Sequence, residues 1–466
     1  MAKARPNILL IMSDEHDPGV MGCYGDKIGA TPHLDQLASN GIVFDNAYCN
    51  SPLCVPSRLS FTSGRYVSRV GAWNNHCRLP SDDSPSLAHA LNAAGYQSFL
   101  CGKQHYDKRH SYGFHRLVPG IDNHTMKGRG GFRRAADDFT PDKESWHQRA
   151  RDIRTGGLDD SYVLRQDIPV LHTARGFLQA RSPQDVPFFL MTGFIAPHFP
   201  LIVPEALHRQ FAGRVPMPEW PEGFIERLPR NYRHLRAGFG LTEADEAITR
   251  LGRELYWALV HWFDGLVGQL LAALANSRVA DDTVVIYTSD HGENKGDHGL
   301  WWKNAMYEQS ARVPLLVSWP KRWAGGQRRA SVCSLVDLVR TLLELGEAGD
   351  DGVWDGDSLL PVLDDQEAPW KNTALSEYYG HNIASGYTLF RKDHWKYVYH
   401  TAPDDQHSPE YELYDLNADP GEWNNLANDP AQRARRDRLH QAMLETLGES
   451  PDAIEARCRA SIAKGY

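Results

Sequence analysis

The sequence lacks the excess of basic residues that nucleic-acid-binding proteins usually carry. Its 50 Lys and Arg residues are outnumbered by 59 Asp and Glu residues, and the formal net charge is -9. We therefore expect no nucleic acid among its partners. The sequence also lacks an uninterrupted apolar run long enough to cross a bilayer, so we expect no membrane partner either.

Regularly paired cysteines are also missing. The seven Cys residues are odd in number and irregularly spaced, and no Cys-x-x-Cys pair suggests a zinc site. The apolar stretch at residues 7–12 is too short for a signal peptide and is followed by no small-residue cleavage site, so we interpret it as the first core strand. Without a secretion signal, we expect reduced thiols and a cytoplasmic protein.

Apolar runs alternate with helical patterns along most of the chain. This alternation predicts an α/β fold with a large mixed, mainly parallel sheet sandwiched by helices. The predicted strands lie at 7–13, 96–101, 187–194, 283–289 and 313–317, and the predicted helices include 84–95, 159–180 and 243–276.

The pattern changes near residue 365. Short alternating segments at 387–391, 395–399 and 411–414 predict antiparallel strands, and a charged helix is predicted at 430–447. We therefore predict a main α/β domain at 1–365 and a smaller C-terminal α+β subdomain with a short antiparallel sheet at 366–466. Two segments with little periodicity, 106–165 and 200–240, are predicted insertions that line a binding pocket.

Polar side chains follow four of the predicted strands. Because ligands bind at the carboxyl ends of strands in open α/β sheets, we expect these groups to meet. Carboxylates with an imidazole can hold a hard divalent cation such as Ca²⁺, Mg²⁺ or Mn²⁺, and histidines that titrate near neutral pH suit acid–base catalysis. The groups are Asp14 with Glu15, Lys103 with His105, His198, and Asp290 with His291.

A short helix is predicted within residues 51–65, and its start carries a cysteine. Pro56 suits the first turn, which places Cys54 at or just before a helix N-terminus that favours an anion. Arg58 follows one turn later on the same face, and with Lys103 and Lys303 it would clamp an oxyanion. A thiolate nucleophile is the local interpretation, and a buried small hydrophobic residue is the structural alternative.

Together these motifs resemble the sulfatases of the alkaline phosphatase superfamily, with features similar to choline-sulfatases around residues 46–52 and 73–75. The resemblance covers nearly the whole chain. Its motifs are the Cys-x-Pro-Ser-Arg signature at 54–58, Gly-Lys-x-His at 102–105, Pro-His at 197–198, Ser-Asp-His-Gly at 289–292, the distal lysine segment at 299–303 and the late run at 413–422.

The resemblance implies a modified cysteine and a bound metal. A formylglycine-generating enzyme would oxidise Cys54 to Cα-formylglycine, whose hydrate, a gem-diol, would attack the sulfur of a sulfate ester. The second hydroxyl would then expel sulfate. One divalent metal, Ca²⁺ before Mg²⁺ or Mn²⁺, would be bound by Asp14, Glu15, the modified Cys54, Asp290 and His291.

The resemblance also implies roles for the remaining side chains. Arg58 would orient the diol, and Lys103 and Lys303 would neutralise charge on the transferring group. His198 would assist the leaving oxygen, and His105 would act as the base. The substrate-binding residues would be Asn75, Lys103, His198 and Lys303.

The implied function is hydrolysis of a sulfate ester of a small organic alcohol, phenol or sugar to the alcohol and inorganic sulfate. Related phosphodiester and phosphonate monoester hydrolases carry the same nucleophile, but they tend to have Tyr and Thr in place of Lys103 and His105. The sequence therefore favours a sulfatase over that alternative. A non-catalytic anion-binding protein is a third hypothesis, and a homo-oligomer remains an open alternative to a monomer.

Overall fold

The computed structural model describes residues 5–120, 133–141, 150–241, 245–349 and 353–464. The strands are β1 (Asn7–Asp14), β2 (Ile42–Tyr48), β3 (Gln97–Gly102), β4 (His115–Pro119), β5 (Arg154–Gly156), β6 (Phe188–Pro197), β7 (Ile202–Pro204), β8 (Thr283–Ser289), β9 (Arg312–Val313), β10 (Leu315–Ser318), β11 (Gln327–Ser334), β12 (Thr373–Tyr378), β13 (Tyr387–Lys392), β14 (Trp395–His400) and β15 (Glu410–Asp415).

The helices follow the same chain order. The α-helices are α1 (Pro32–Ser39), α2 (Cys54–Ser63), α3 (Val67–Val70), α4 (Leu87–Ala93), α5 (Tyr162–Ala180), α6 (Glu205–His208), α7 (Arg230–Gly238), α8 (Glu246–Ala275), α9 (Glu308–Ala311), α10 (Leu335–Leu345), α11 (Leu360–Asp364), α12 (Arg433–Leu447) and α13 (Pro451–Ala463). Short 3₁₀ turns lie at Pro18–Val20, Gly22–Tyr24, Ala150–Asp152, Ile225–Arg227, Ala280–Asp282, Asp297–Gly299 and Pro430–Gln432.

A nine-stranded sheet forms the centre of the molecule. Its order is β11-β2-β10-β8-β1-β6-β3-β4, and β9 pairs with β2. The neighbours β8, β1, β6 and β3 run parallel, whereas β10 runs antiparallel to β8 and β2. The predicted large, mainly parallel mixed sheet is confirmed.

The central strand β1 is buried on both faces, as its continuous apolar run predicts. Ile8, Leu10 and Met12 belong to a core cluster on one face of the sheet, and Leu9 and Ile11 belong to a cluster on the other. The first face carries α2, α4 and α10 together with part of the C-terminal region. The second face carries α1, α5 and α8.

The longest helix, α8, is a core helix of the second face. By length and composition it could span a membrane, which the sequence analysis did not anticipate, but more than half of its most apolar window is buried inside the molecule. Phe263, Val267 and Leu270 pack there against apolar residues of the sheet. Its apolar stripe is therefore accounted for by contacts within the chain.

The C-terminal region contains the predicted short antiparallel sheet, which is confirmed. Its order is β12-β13-β14-β15, and all pairs are antiparallel. Helices α12 and α13 follow it, so the region has the predicted α+β character. The boundary at residue 365, and the assignment of 106–165 and 200–240 as pocket-lining insertions, stay predictions; part of the first segment, 121–132 and 142–149, lies outside the described residues.

Several elements differ from the sequence-based prediction. The strand predicted at 313–317 is split into β9 and β10, because Pro314 has no N–H to donate to a ladder. The helix predicted from residue 430 begins as a 3₁₀ turn, and α12 starts at Arg433. The sequence analysis also missed β11, α10, β12 and α13.

Candidate active site

The four parallel strands β8, β1, β6 and β3 end at one edge of the main sheet, and each end carries predicted site residues. Because the strands are neighbours, their ends lie side by side. The residues are Asp14 and Glu15 after β1, Lys103 and His105 after β3, His198 after β6, and Asp290 and His291 after β8.

Cys54 is the first residue of α2, and its side chain points into this cluster. Nε2 of His291 lies 3.3 Å from its Sγ, and Oδ1 of Asp14 lies 3.8 Å from it. The residue is almost fully buried. The first turn of a helix leaves several backbone N–H groups without a partner inside the helix. One of these, the N–H of Val55, donates to Oδ1 of Asn75 at 3.0 Å. Asn75 therefore lies beside the start of α2, and its substrate-binding role stays a prediction.

Arg58, one turn into α2, joins two carboxylates that follow the central strands. Its Nη2 lies 3.0 Å from Oδ2 of Asp14, and its Nε lies 2.7 Å from Oδ2 of Asp290. Nη1 donates to the carbonyl oxygen of Lys103 at 3.1 Å and to Oε1 of Gln104 at 3.2 Å. Burial alone would lower the pKa of Arg58, but Asp290 and Asp14 more than offset this effect, so the guanidinium stays charged.

Asp290 also fixes the backbone around it. Its Oδ1 accepts the N–H of Glu15 at 3.2 Å and the N–H of His291 at 3.0 Å. The hydroxyl of Ser57, in α2, donates to its carbonyl oxygen at 2.6 Å. Glu15 has a φ of 67°, a conformation that non-glycine residues rarely adopt. The carboxylate therefore holds the turn that directs Glu15 into the site.

Asp14 carries cations on one oxygen only. Nζ of Lys103 lies 2.5 Å from its Oδ2, the oxygen that Arg58 also contacts. Oδ1 instead faces Nε2 of His291 at 3.9 Å and Nε2 of His198 at 3.8 Å. Burial alone would raise the pKa of Asp14, but Lys103 and Arg58 more than offset it, and the pKa lies well below its ordinary value.

His198, Lys303 and Glu15 form a second group beside Asp14. Nζ of Lys303 lies 2.9 Å from Nε2 of His198 and 2.9 Å from Oε2 of Glu15. Nδ1 of His198 lies 2.5 Å from the carbonyl oxygen of Phe199. A carbonyl can only accept and an ammonium can only donate, so Nδ1 carries the hydrogen and Nε2 accepts from Lys303. Burial, together with Lys303, lowers the pKa of His198 well below its ordinary value, which leaves the imidazole neutral.

His105 lies at the rim of the same cluster. It has a φ of 61° and is half-buried, and its Nδ1 has no hydrogen-bond partner among the described residues. Burial lowers its pKa well below the ordinary value, and Lys103 lowers it further. A neutral imidazole at this position has the protonation state that a general base needs.

The thiol of Cys54 is poorly suited to act as a thiolate. Burial and the nearby Asp14 raise its pKa to about 12, although Lys303 and Lys103 oppose the shift. The encoded side chain is therefore protonated at neutral pH, and a thiolate nucleophile, the local interpretation of residues 51–65, is disfavoured.

The buried donors fit a divalent metal ion. Ligand atoms of Asp14, Cys54, Asp290 and His291 all lie within 4.8 Å of one another, as do those of Asp14, Glu15 and His198. Nδ1 of His291 lies 3.0 Å from the carbonyl oxygen of Gly292, so its Nε2 presents a lone pair to the cluster.

Glu15 offers a further oxygen to such an ion. Its Oε1 is buried and receives no N–H or hydroxyl hydrogen from the described residues, although the carboxyl group of Glu293 lies within hydrogen-bonding reach of Glu15. Burial raises the pKa of Glu15 well above its ordinary value, although Lys303 opposes this shift. A buried carboxyl oxygen without a donor is costly unless a cation or a proton compensates it, and an oxygen-rich set of this kind fits a hard cation.

Glu293, which no sequence motif singles out, connects two loops of the site. Its Oε1 accepts the N–H of Lys295 at 2.7 Å and the N–H of Trp302 at 2.5 Å. It thereby connects the segment after Asp290 to the residue before Lys303. An acidic residue three positions after Asp290 was the only available signal.

Comparison with known proteins identifies the family. Residues 6–348 match the family described as Sulfatase, and residues 296–449 match the family described as N-sulphoglucosamine sulphohydrolase, C-terminal. The chain belongs to the sulfatase family. It is a sulfuric ester hydrolase, and the predicted family and enzyme class are confirmed.

Known relatives of this sulfatase cover almost its whole length. A choline-sulfatase from Rhizobium meliloti (strain 1021) is 29% identical over 494 aligned positions, which cover 100% of this chain and 91% of that protein. An arylsulfatase K from Xenopus laevis is 28% identical and covers 92% of this chain and 81% of that protein. A solved structure in complex with its substrate D-glucosamine-2-N,6-O-disulfate has a TM-score of 0.74 at 23% identity, over 96% of this chain and 99% of that one.

Proposed function

We propose that the protein is a formylglycine-dependent, metal-requiring sulfatase that acts on a sulfate ester of a small organic alcohol, phenol or sugar. The observation that carries this proposal is the position of Cys54. Its Sγ lies at the start of α2, 3.3 Å from Nε2 of His291 and 3.8 Å from Oδ1 of Asp14, among the candidate metal ligands. An oxygen nucleophile generated from this side chain would stand beside the metal.

Formylglycine at position 54 would supply, as its hydrate, the hydroxyl that attacks sulfur. A divalent metal, for which we propose Ca²⁺, would polarise the sulfate oxygens. The residues that would hold the ion are Asp14, Glu15, the modified Cys54, Asp290 and His291.

The chain's own residues supply orientation and charge. Arg58 is fixed by Asp14 and Asp290, so it orients the group at position 54 one turn earlier on α2. The ammonium groups of Lys103 and Lys303 offset the negative charge of the transferring group. Lys303 would present a proton to the leaving oxygen, and His198, whose Nε2 accepts from Nζ of Lys303 at 2.9 Å, would assist by holding that ammonium in place. We assign His105 the role of base and Asn75 a place in the substrate pocket.

The substrate class rests on the relatives. Their names include choline-sulfatase, arylsulfatase and N-acetylglucosamine-6-O-sulfatase, which all describe sulfate esters of small alcohols, phenols or sugars. A phosphonate monoester hydrolase of Agrobacterium radiobacter shares the fold, with a TM-score of 0.76 at 23% identity over 95% of this chain and 96% of that one. At that identity the likeness extends to the fold alone, so phosphodiester or phosphonate hydrolysis remains the alternative.

We also propose a cytoplasmic protein that meets a formylglycine-generating enzyme during maturation. All seven cysteines are free thiols, and six are buried, which fits a reducing compartment. We propose no nucleic acid or membrane partner, and a homo-oligomer remains compatible with these features.

The decisive test combines mass spectrometry with kinetics on protein produced with the maturation enzyme. The peptide that contains Cys54 should carry the mass of the aldehyde or its hydrate, and Cys54→Ala should abolish sulfate release. Cys49→Ala, which removes another buried thiol five positions earlier, is the matched control and should retain activity. An unmodified Cys54 in active enzyme would refute formylglycine, and a higher kcat/KM on matched phosphate esters would favour the alternative.

A further inference from the structure

Strand β6 ends irregularly, immediately before His198. Met12 of β1 pairs with Gly193, but Asp14 pairs with Pro197, so β6 contains two more residues than β1 across this interval. The extra residues bulge out of the ladder, as in a β-bulge. Their buried backbone N–H groups lose their strand partners and need other acceptors.

Asp167 supplies these acceptors from helix α5. Its Oδ1 accepts the N–H of Ile195 at 2.8 Å, and its Oδ2 accepts the N–H of Ala196 at 2.9 Å. The side chain is fully buried, and this burial raises the pKa of Asp167 to about 7, although the two N–H groups that it accepts oppose the shift. Both oxygens are directed at the bulge, so its backbone is tied to the helix behind it.

The bulge is in turn bonded to His198. The N–H of His198 donates to the carbonyl oxygen of Ile195 at 3.0 Å. Ile195 is therefore bonded on both sides: its carbonyl oxygen accepts from His198, and its N–H donates to Asp167. Beyond this turn, His198 meets Lys303 at 2.9 Å. A short bonded path therefore runs from the Asp167 carboxylate to the Nε2 atom that faces the candidate active site.

We propose that Asp167 is a positioning residue that sets the orientation of His198 toward the leaving oxygen by holding the backbone of Ile195 and Ala196. The inference rests on the proposed function for its catalytic consequence and on the contacts above for its structural part. Asp167 touches neither the candidate metal ligands nor a reacting atom in the contacts described. It acts through the strand end alone.

The chain offers a matched control in Asp264 of helix α8. This carboxylate is equally buried, and it also accepts two consecutive backbone N–H groups, those of His33 at 3.0 Å and Leu34 at 2.8 Å. These groups belong to the first turn of α1, which carries no candidate catalytic residue. Asp264→Asn therefore imposes the same chemical change, and a similar loss of stability, without moving His198.

The kinetic test uses phenyl sulfate and 4-nitrophenyl sulfate, whose leaving groups differ in basicity. Asp167→Asn points an amide group at a backbone N–H and should lower kcat on phenyl sulfate by about ten- to hundredfold, with a smaller loss on the nitrophenyl ester and little change in KM. In a His198→Ala background, adding Asp167→Asn should cost no further kcat. Asp264→Asn should keep the parent ratio between the two esters.

A structural readout separates this inference from the proposed function. Hydrogen–deuterium exchange at the amides of residues 194–196 and 198 should accelerate in Asp167→Asn and stay unchanged in Asp264→Asn. If Asp167→Asn does not fold, Asp167→Glu, which moves the carboxylate by one methylene, should show the same effects in weaker form.

Three outcomes would overturn the positioning role. One is an unchanged exchange rate at residues 194–196 and 198 in Asp167→Asn. The others are a parent-like ratio between the two esters and full multiplication of the losses in the double variant. If the parent enzyme hydrolyses neither ester, the proposed function fails for aryl sulfates. The role of Asp167 is then tested by the exchange experiment alone.

Discussion

Nζ of Lys303 donates a hydrogen bond to Nε2 of His198 over 2.9 Å, although 105 positions separate the two residues in the chain. Lys303 is also held by Oε2 of Glu15 at 2.9 Å, and its ammonium lies 4.9 Å from the centre of the Phe199 ring. Burial alone would lower the pKa of Lys303, but the carboxylates of Glu15 and Asp14 oppose this effect, and the pKa is raised. The pair therefore keeps a proton beside the place where the leaving oxygen would stand.

Replacing Lys303 by Met should affect poor leaving groups most. A basic leaving oxygen needs the proton or positive charge in the transition state, whereas an activated phenolate does not. We expect kcat/KM to fall by about a hundredfold to ten-thousandfold for an alkyl sulfate and clearly less for 4-nitrophenyl sulfate. Lys371→Met, which removes a lysine paired with Asp337, is the control and should leave both values unchanged. Equal losses on both esters would exclude a leaving-group role.

Replacing Asp290 by Ala should remove metal and activity together. The substitution deletes a candidate ligand, and it also frees Arg58 and the N–H of Glu15, both of which Asp290 holds. Metal content per chain, measured by elemental analysis after dialysis, should fall from about one to near zero, in line with the loss of a carboxylate ligand. Full metal retention in an inactive variant would show that the ligand set is wrong.

A suitable control for this experiment is Asp337→Asn. Asp337 is as deeply buried as Asp290, it caps helix α10, and Lys371 lies 2.6 Å from it. The variant should lose stability but retain the metal. The comparison separates loss of a ligand from general destabilisation.

The edge of the sheet could be predicted from the sequence because the relevant strands are continuous apolar runs. The runs that form β1, β6 and β8 each end at a polar residue. Because the strands are parallel, these polar residues lie at the same edge of the sheet. The signature at 54–58 then added the cysteine and arginine. Local pattern and the family's motifs therefore agree on the same cluster of residues.

The supporting contacts could not be predicted, since they join residues with no shared pattern. Asp167 lies in the amphipathic helix α5, where an acidic residue is expected on the solvent-exposed face. In the structure it is buried against the end of β6. Strand β11 was missed for a related reason. It is an edge strand whose first half is partly exposed, and its sequence QRRASVCS begins with three polar residues. It therefore lacks the continuous apolar run that predicts a buried strand.

Lys396 of β14 lies buried between two carboxylates, and its replacement by Met should destabilise the contact between the C-terminal sheet and the rest of the protein. Its Nζ lies 3.0 Å from Oε1 of Glu308 and 2.6 Å from Oε1 of Glu422, and its side chain is inaccessible to solvent. Removing the cation leaves the buried carboxyl of Glu422 without its partner, whereas the half-buried Glu308 keeps Arg312 at 3.3 Å. Breaking a buried ion pair in this way costs about 3–5 kcal/mol. The midpoint of urea unfolding should fall accordingly.

The control for this substitution lies on the neighbouring strand. Lys392→Met removes a half-buried lysine of β13 that donates to the carbonyl oxygen of Lys371 at 2.8 Å. This variant should lose less than about 1 kcal/mol, as most surface substitutions do. Similar unfolding midpoints for the two variants would mean that the ion pairs of Lys396 with Glu308 and Glu422 add no more stability than the contact of Lys392 does.

His298 should make the stability of the protein depend on pH between about 6.5 and about 4. Its ring stacks on Tyr307 and Trp423, with centroid distances of 3.8 Å and 4.5 Å, and its Nδ1 is buried with no hydrogen-bond partner among the described residues. Burial lowers the pKa of His298 to about 4 from an ordinary value of 6.5. As the pH falls below about 6.5, the unfolded chain takes up the proton first, so the stabilisation is complete above that value and is lost progressively down to about 4.

The effect of His298 amounts to at most about 3 kcal/mol. Asn tolerates the φ of 57° at this position, so His298→Asn should flatten the decline in unfolding midpoint between about pH 7.5 and about pH 4.5. The exposed His172→Asn should reproduce the parent curve. If His298→Asn declines as steeply as the parent, the acid sensitivity must come from other groups, because any group that binds more protons in the unfolded chain than in the fold weakens the protein as the pH falls.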